Sequence, residues 1–190
     1  MLRIIADSTC DISKEDARKM GIQIVPISVR FGNEEFLDGV EITHEEFYTR
    51  LAECDELPKT SQPSPDTFMK VFNEAVAAGD DVLGIFISSD LSGTYQSACL
   101  AALDVEEETG KKLYMVDSRS ASIGTALLIR EAVKLRDADV NVSDIAAACT
   151  EMSKYIKLTA AVGSLKYLKM GGRSGCICRN NASYNTGCKY

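Results

Sequence analysis

The apolar run Val82-Leu83-Gly84-Ile85-Phe86-Ile87 passes without transition into Ser88-Ser89-Asp90-Leu91-Ser92-Gly93-Thr94-Tyr95-Gln96-Ser97-Ala98. An unbroken apolar run of this length reads as a strand covered on both faces, the habit of parallel sheets in α/β folds. From Thr94 onward Tyr95, Cys99, Ala102 and Leu103 recur at helical spacing, with Ser92 placed as the N-cap. The stretch therefore reads as strand, tight turn and helix N-terminus in immediate succession. Free backbone N–H groups, the positive end of a helix dipole and several hydroxyls then converge on one spot, which suits an anion.

The rest of the chain repeats this alternation. Leu2 to Ala6 reads as a first strand, running into Asp7-Ser8-Thr9-Cys10-Asp11. Ser13 caps a short helix with Ala17 and Met20 inward and Asp16 at the third position of a capping box, and Gly21 ends it. Residues 22–29 alternate and carry Pro26, which places them at or near a sheet edge, and 31–40 form a polar hairpin or loop. Thr43-His44-Glu45-Glu46 is a second capping box, opening a helix with Phe47 and Leu51 inward. Thr60-Ser61-Gln62-Pro63-Ser64-Pro65-Asp66 reads as a proline-stiffened turn in which Ser64 caps a helix burying Phe68, Phe72, Ala75 and Val76. Leu113 to Val116 is another buried strand, closed by Asp117-Ser118. A helix over 124–135 turns Ala126, Ile129, Ala132 and Val133 inward, and a further one capped by Ser143 carries Ile145, Ala148, Cys149 and Met152. Residues 158–162 have the composition of one more strand.

Strands alternating with helices at this spacing imply βαβ units, hence an α/β fold with a mostly parallel sheet and helices on both faces. Right-handed crossovers bring the strand ends Asp7-Ser8-Thr9, Ser88-Ser89 and Asp117-Ser118 to one edge, where such sheets bind their ligands.

Composition narrows the chemistry. With 190 residues, 45% of them hydrophobic, there is room for one sizeable domain, or one domain and part of another. A net charge of −7 without a clustered Lys/Arg face argues against nucleic acid. The longest uncharged run, Leu91 to Leu103, falls short of a bilayer span and the apolar start is too brief for a signal peptide, so the expected location is the cytoplasm. Seven cysteines, an odd number, point to reduced thiols, with Cys99 and Cys149 on helical core positions. A metal site from Cys176, Cys178 and Cys188 is conceivable, but the spacing fits no common zinc pattern and lacks a fourth ligand. No cofactor is expected. His44, the only histidine, sits among acids in an exposed first turn and reads as a solvated surface residue.

Neutral hydroxyls without a lysine suit a singly charged carboxylate better than a triphosphate, and neither G-x-x-x-x-G-K-[ST] nor a G-x-G-x-x-G after a strand is present. Asp7 follows the first strand where an aspartyl nucleophile of a phosphatase stands, but the residue two further on is Thr9 rather than a second acid. A serine hydrolase lacks its G-x-S-x-G and any base other than His44. A small-molecule hydrolase or transferase using the same strand-end pocket stays open as the alternative function.

Four motifs in order, Asp7-Ser8-Thr9 with Asp11, Thr60-Ser61-Gln62-Pro63-Ser64, Ser88-Ser89 with Leu91 to Ala98, and Leu165-Lys166-Tyr167-Leu168 with Gly171-Gly172-Arg173, together resemble the DegV family of bacterial fatty-acid-binding proteins. The resemblance covers residues 1 to about 173. It implies a two-domain α/β protein that buries one long-chain fatty acid between its domains and carries no chemistry itself. By the family pattern, Thr60 and Ser61 on one loop and Ser92, Gly93 and Thr94 on another hold the carboxylate, with Arg173 near the head group. The acid is then handed to a partner kinase resembling dihydroxyacetone kinase, which makes an acyl-phosphate for phospholipid synthesis. The expected layout is a DegV-like domain over 1–155 and, over 156–190, the incomplete start of a second domain with a Cys/Asn-rich tail.

Overall fold

A computed structural model describes residues 1–159 with the exception of Asp55. In chain order these residues form β1 (Leu2–Asp7), α1 (Lys14–Met20), β2 (Ile22–Val25), β3 (Ser28–Phe31), β4 (Glu34–Leu37), α2 (His44–Glu53) and β5 (Lys59–Ser61). They continue with α3 (Pro65–Ala77), β6 (Asp81–Phe86), α4 (Thr94–Thr109), β7 (Tyr114–Asp117), α5 (Ile123–Asp137) and α6 (Val142–Ser153). Residues Met1–Leu158 make one compact unit.

The apolar runs become a four-stranded parallel sheet in the order β2-β1-β6-β7. Side chains alternate across it, and both faces are covered. Ile4, Ala6, Leu83, Ile85 and Val116 pack with Ala17 of α1, with Leu128, Ile129 and Ala132 of α5, and with Ile145 and Cys149 of α6. Ile5, Val82 and Phe86 look the other way, onto Phe68, Phe72 and Ala75 of α3 and Ala98, Ala101 and Val105 of α4. Helices on both faces of a parallel sheet are what the alternation predicts. Gly84 in β6 is required by space: a Cβ there would lie 2.4 Å from Phe86 Cε2 and 2.7 Å from Met115 Sδ.

Pro26 ends β2 as the edge strand, and the chain leaves the main sheet for a second, antiparallel one ordered β4-β3-β5. Over it lies α2, whose N-terminus is closed by the complete Thr43–Glu46 capping box. The Thr43 N–H and hydroxyl hold the Glu46 carboxyl below its usual range. Phe31 meets Phe47 edge-on at 5.6 Å, but Phe47 and Leu51 are only half-buried, and no α2 residue is fully buried. His44 is exposed.

Several local expectations need correction. Thr60 and Ser61 belong to β5, paired with Val29 and Ser28, rather than to a turn. Ser13 caps α1 through Asp16 N–H as expected, whereas α6 opens at Asn141, two residues before Ser143. In α5 Ile129, Ala132 and Val133 are buried as expected, but Leu128 is buried with them and Ala126 is only half-buried. The motif at 165–173 with Arg173, the cysteines at 176, 178 and 188, and most of the expected strand over 158–162 lie outside the described residues. Among the described residues no helix is long and apolar enough to cross a membrane, and no cluster of His, Cys, Asp or Glu has metal-binding form.

Candidate functional site

Parallel pairing of β1, β6 and β7 brings their carboxyl ends side by side, as the crossover rule requires. Most of the polar groups there are used to tie those ends together. Asp7 is fully buried; its Oδ2 accepts the Ile87 N–H at 2.9 Å, and its Oδ1 accepts the Thr9 N–H at 3.0 Å and the Thr9 hydroxyl. Burial pushes the Asp7 pKa up, against the bonds from Thr9 and Ile87, which lower it. With both oxygens engaged, Asp7 is a clasp between β1 and β6 rather than an exposed nucleophile. Asp117 does the same between β6 and β7, accepting the Ser89 N–H at 3.2 Å, the Ser89 hydroxyl at 2.6 Å and the Arg119 N–H at 2.8 Å. Ser118 donates its hydroxyl to the Ser120 carbonyl at 2.9 Å.

The turn into α4 is arranged differently. The N–H groups of Leu91 and Ser92 both reach back to the Ser88 carbonyl, at 2.9 and 3.1 Å, which folds the turn tightly over the end of β6. The N-cap of α4 is Gly93 and not Ser92, and no side chain caps this helix. Instead Ser92 Oγ accepts the Thr94 N–H at 3.3 Å and stands 2.9 Å from Thr94 Oγ1. Thr94 is fully buried and Ser92 half-buried, so the Ser92 hydroxyl is the outer member of the pair. A helix start without a side-chain cap, together with this hydroxyl pair, keeps anion-binding capacity at the site.

The second hydroxyl-bearing segment reaches the same place. Thr60 and Ser61 are exposed on β5, whose register against β3 sets Thr60 opposite Val29. Directly after it, the Ser97 hydroxyl of α4 donates to the Pro63 carbonyl at 2.7 Å. The Gln62 carboxamide lies against Gly93, where a Cβ would come within 2.2 Å of Gln62 Oε1. Residues 60–63 and 92–97, about 30 apart in the chain, are therefore joined at two points. Of the expected site residues, Thr60, Ser61, Ser92, Gly93 and Thr94 thus fall on two segments in contact, while Arg173 is outside the described residues. Gln62 and Ser97 are the contacts that sequence reasoning missed. The signal was available in Ser97, three residues after Thr94 and on the same helical face.

A shallow cavity of about 360 Å³ also opens beside the end of β7, lined by Ser89, Tyr95, Asp117, Arg119, Thr150 and Lys154 among others. It mixes both charges and contains no histidine, and its Ser89 hydroxyl is bound to Asp117.

Comparison with known proteins gives one consistent answer. A family model described as "Uncharacterised protein, DegV family" matches residues 1–177. A DegV domain-containing protein of Clostridium perfringens is 39% identical over 172 residues, covering 90% of this chain and 61% of the relative. Among solved structures, a stearic-acid-binding protein of Eubacterium ventriosum superposes with a TM-score of 0.79 at 38% identity, covering 92% of this chain and 61% of that one. A DegV family protein of Thermus thermophilus, described by its fatty acid binding, gives 0.78 at 32% identity, covering 91% and 61%. The chain thus spans about three-fifths of the length of these relatives.

Proposed function

The chain belongs to the DegV family, and on that premise we propose that it binds a long-chain fatty acid for presentation to a partner fatty acid kinase. The carboxylate lies between Thr60 and Ser61 on β5 and the turn of Ser92, Gly93 and Thr94, with Arg173 near the head group. The domain carrying these loops covers 1–155, residues 156–190 begin a second α/β domain, and the protein works in the cytoplasm.

The observation that carries this reading is the junction of the two segments through Gln62 on Gly93 and Ser97 on Pro63, at a helix start without a side-chain cap. A single negative charge is balanced by the dipole of α4 and by neutral O–H and N–H donors. The acyl chain supplies the affinity, at about 0.8 kcal/mol per buried methylene, while the hydroxyls set which end lies where. Holding the carboxylate through hydrogen bonds from these hydroxyls leaves one oxygen for phosphorylation by a kinase resembling dihydroxyacetone kinase, whose acyl-phosphate product feeds phospholipid synthesis. The protein's own carboxylates at the strand ends, Asp7 and Asp117, are engaged in holding the sheet, which favours a binding role over catalysis.

Lipid extraction of the freshly purified protein, followed by mass spectrometry, tests the proposal. Recovery of a long-chain acid in stoichiometric amount is the expected result. An acid-free protein that also takes up none on incubation, or one that turns over model esters, contradicts it.

A further inference from the structure

One of the two points of contact between the hydroxyl-bearing segments is a glycine whose backbone needs no glycine. Gly93 has φ −75° and ψ 4°, open to any L-residue, so the missing side chain at this position is a matter of space. The space is filled by Gln62: a Cβ at position 93 would lie 2.2 Å from its Oε1 and 2.8 Å from both its Cδ and its Nε2. The whole carboxamide is seated on the turn. Gln62 is an exposed residue and its neighbour Pro63 is buried, held by Ser97 of α4 at 2.7 Å. The segment leaving β5 is thus anchored to α4 at Pro63, and one residue earlier its side chain rests on the residue that opens the same helix.

We infer that Gln62 is a positioning residue of the head-group site, its carboxamide on Gly93 setting the separation between Thr60–Ser61 and Ser92–Thr94. The inference rests on the fatty-acid reading and deepens it, because it says where selectivity for an acid head group comes from. Hydroxyls on two segments favour a carboxylate over an alcohol only while both reach the oxygens of one head group. A displacement of about 1 Å between the segments is enough to lose one set of bonds. The acyl chain makes no use of this contact, so its contribution stays the same.

Binding of palmitate and of hexadecanol to the full chain, by displacement of a fluorescent fatty acid, tests this with Gln62→Ala, Gly93→Ala and the double variant. The amide is the far end of a flexible side chain, so a methyl at position 93 expels it rather than unfolding the protein. Each single variant is expected to lower the acid-to-alcohol affinity ratio by roughly tenfold, the loss of about one hydrogen bond to a charged group. In Gln62→Ala hexadecanol affinity and Tm stay near wild type, and the double variant is no worse than Gly93→Ala, since both remove the same contact. An unchanged ratio in Gln62→Ala, or additive losses in the double variant, overturns the inference and leaves fatty acid binding standing. Should Gly93→Ala not fold, the ratio in Gln62→Ala decides alone. A wild-type chain that takes up no palmitate overturns the fatty-acid reading and this inference with it.

Discussion

The Ser97 hydroxyl, in the first turn of α4, donates to the Pro63 carbonyl at 2.7 Å and ties the helix to the segment that follows β5. Both residues are buried, so neither group has water as a substitute partner. Ser97→Ala leaves the carbonyl without its donor and is expected to cost about 1–3 kcal/mol in urea unfolding. A variant as stable as wild type would show that the bond contributes nothing net.

Ser92 and Thr60 are expected to hold the head group from opposite segments. Ser92→Ala and Thr60→Ala should each weaken acid binding by about 1–3 kcal/mol, as a carboxylate losing one donor does. Titration of the two variants reads this directly. Full affinity in both removes these hydroxyls from the site.

Asp80 and Asp7 couple stability to pH in opposite senses. The Arg3 guanidinium, at 2.7 and 3.1 Å, holds the Asp80 carboxyl below the usual range, helped by the terminal ammonium. Its contribution is therefore complete above the ordinary carboxyl pKa of about 3.9 and is lost as pH falls through its lowered value. Asp7, raised by burial, contributes most below about 3.9, and that contribution is lost as pH rises through its raised value. Unfolding curves taken across acid pH should show Asp80→Asn losing less stability than wild type on acidification. An acid limb identical to wild type in Asp80→Asn rejects the Arg3 pairing as its source.

Burial pushes the Cys10 and Cys149 thiols up to about 11 each. At about pH 8 these thiols are almost entirely protonated and enclosed, hence inert. Alkylation of the native protein, read by peptide mass spectrometry, should modify Cys54 before Cys10 or Cys149, because Cys54 is only half-buried. Equal labelling of all three contradicts the packing of α1, α5 and α6 on the sheet.

The strand-turn-helix at 82–98 was legible because β6 is covered on both faces, which leaves a continuous apolar run, and because the helical spacing begins as soon as it ends. The sheet and its two helical layers follow from repeats of that pattern. The segment at 59–61 was not legible as a strand: it is three residues long, exposed throughout, and defined only by its pairing with β3 about 30 residues earlier. Serine favours the N-cap position, yet the Ser92 hydroxyl closes a local bond to the Thr94 N–H, and the N-cap of α4 is Gly93. Asp7 kept a catalytic look in one dimension; only the fold shows that Ile87, 80 residues away, occupies its second oxygen. Gln62 was hidden for the same reason, since a glycine 31 positions later explains it only in space.

Fatty acid binding as proposed requires one head group to be gripped from two distant segments at once. NMR of palmitate carrying an isotope label at its carboxyl carbon reads that grip at the atom concerned. A bound carboxyl resonance distinct from that of free and micellar acid, shifted back toward free acid by Thr60→Ala and by Ser92→Ala alike, is the predicted result. A bound resonance that ignores both substitutions, or no bound resonance at all, contradicts it.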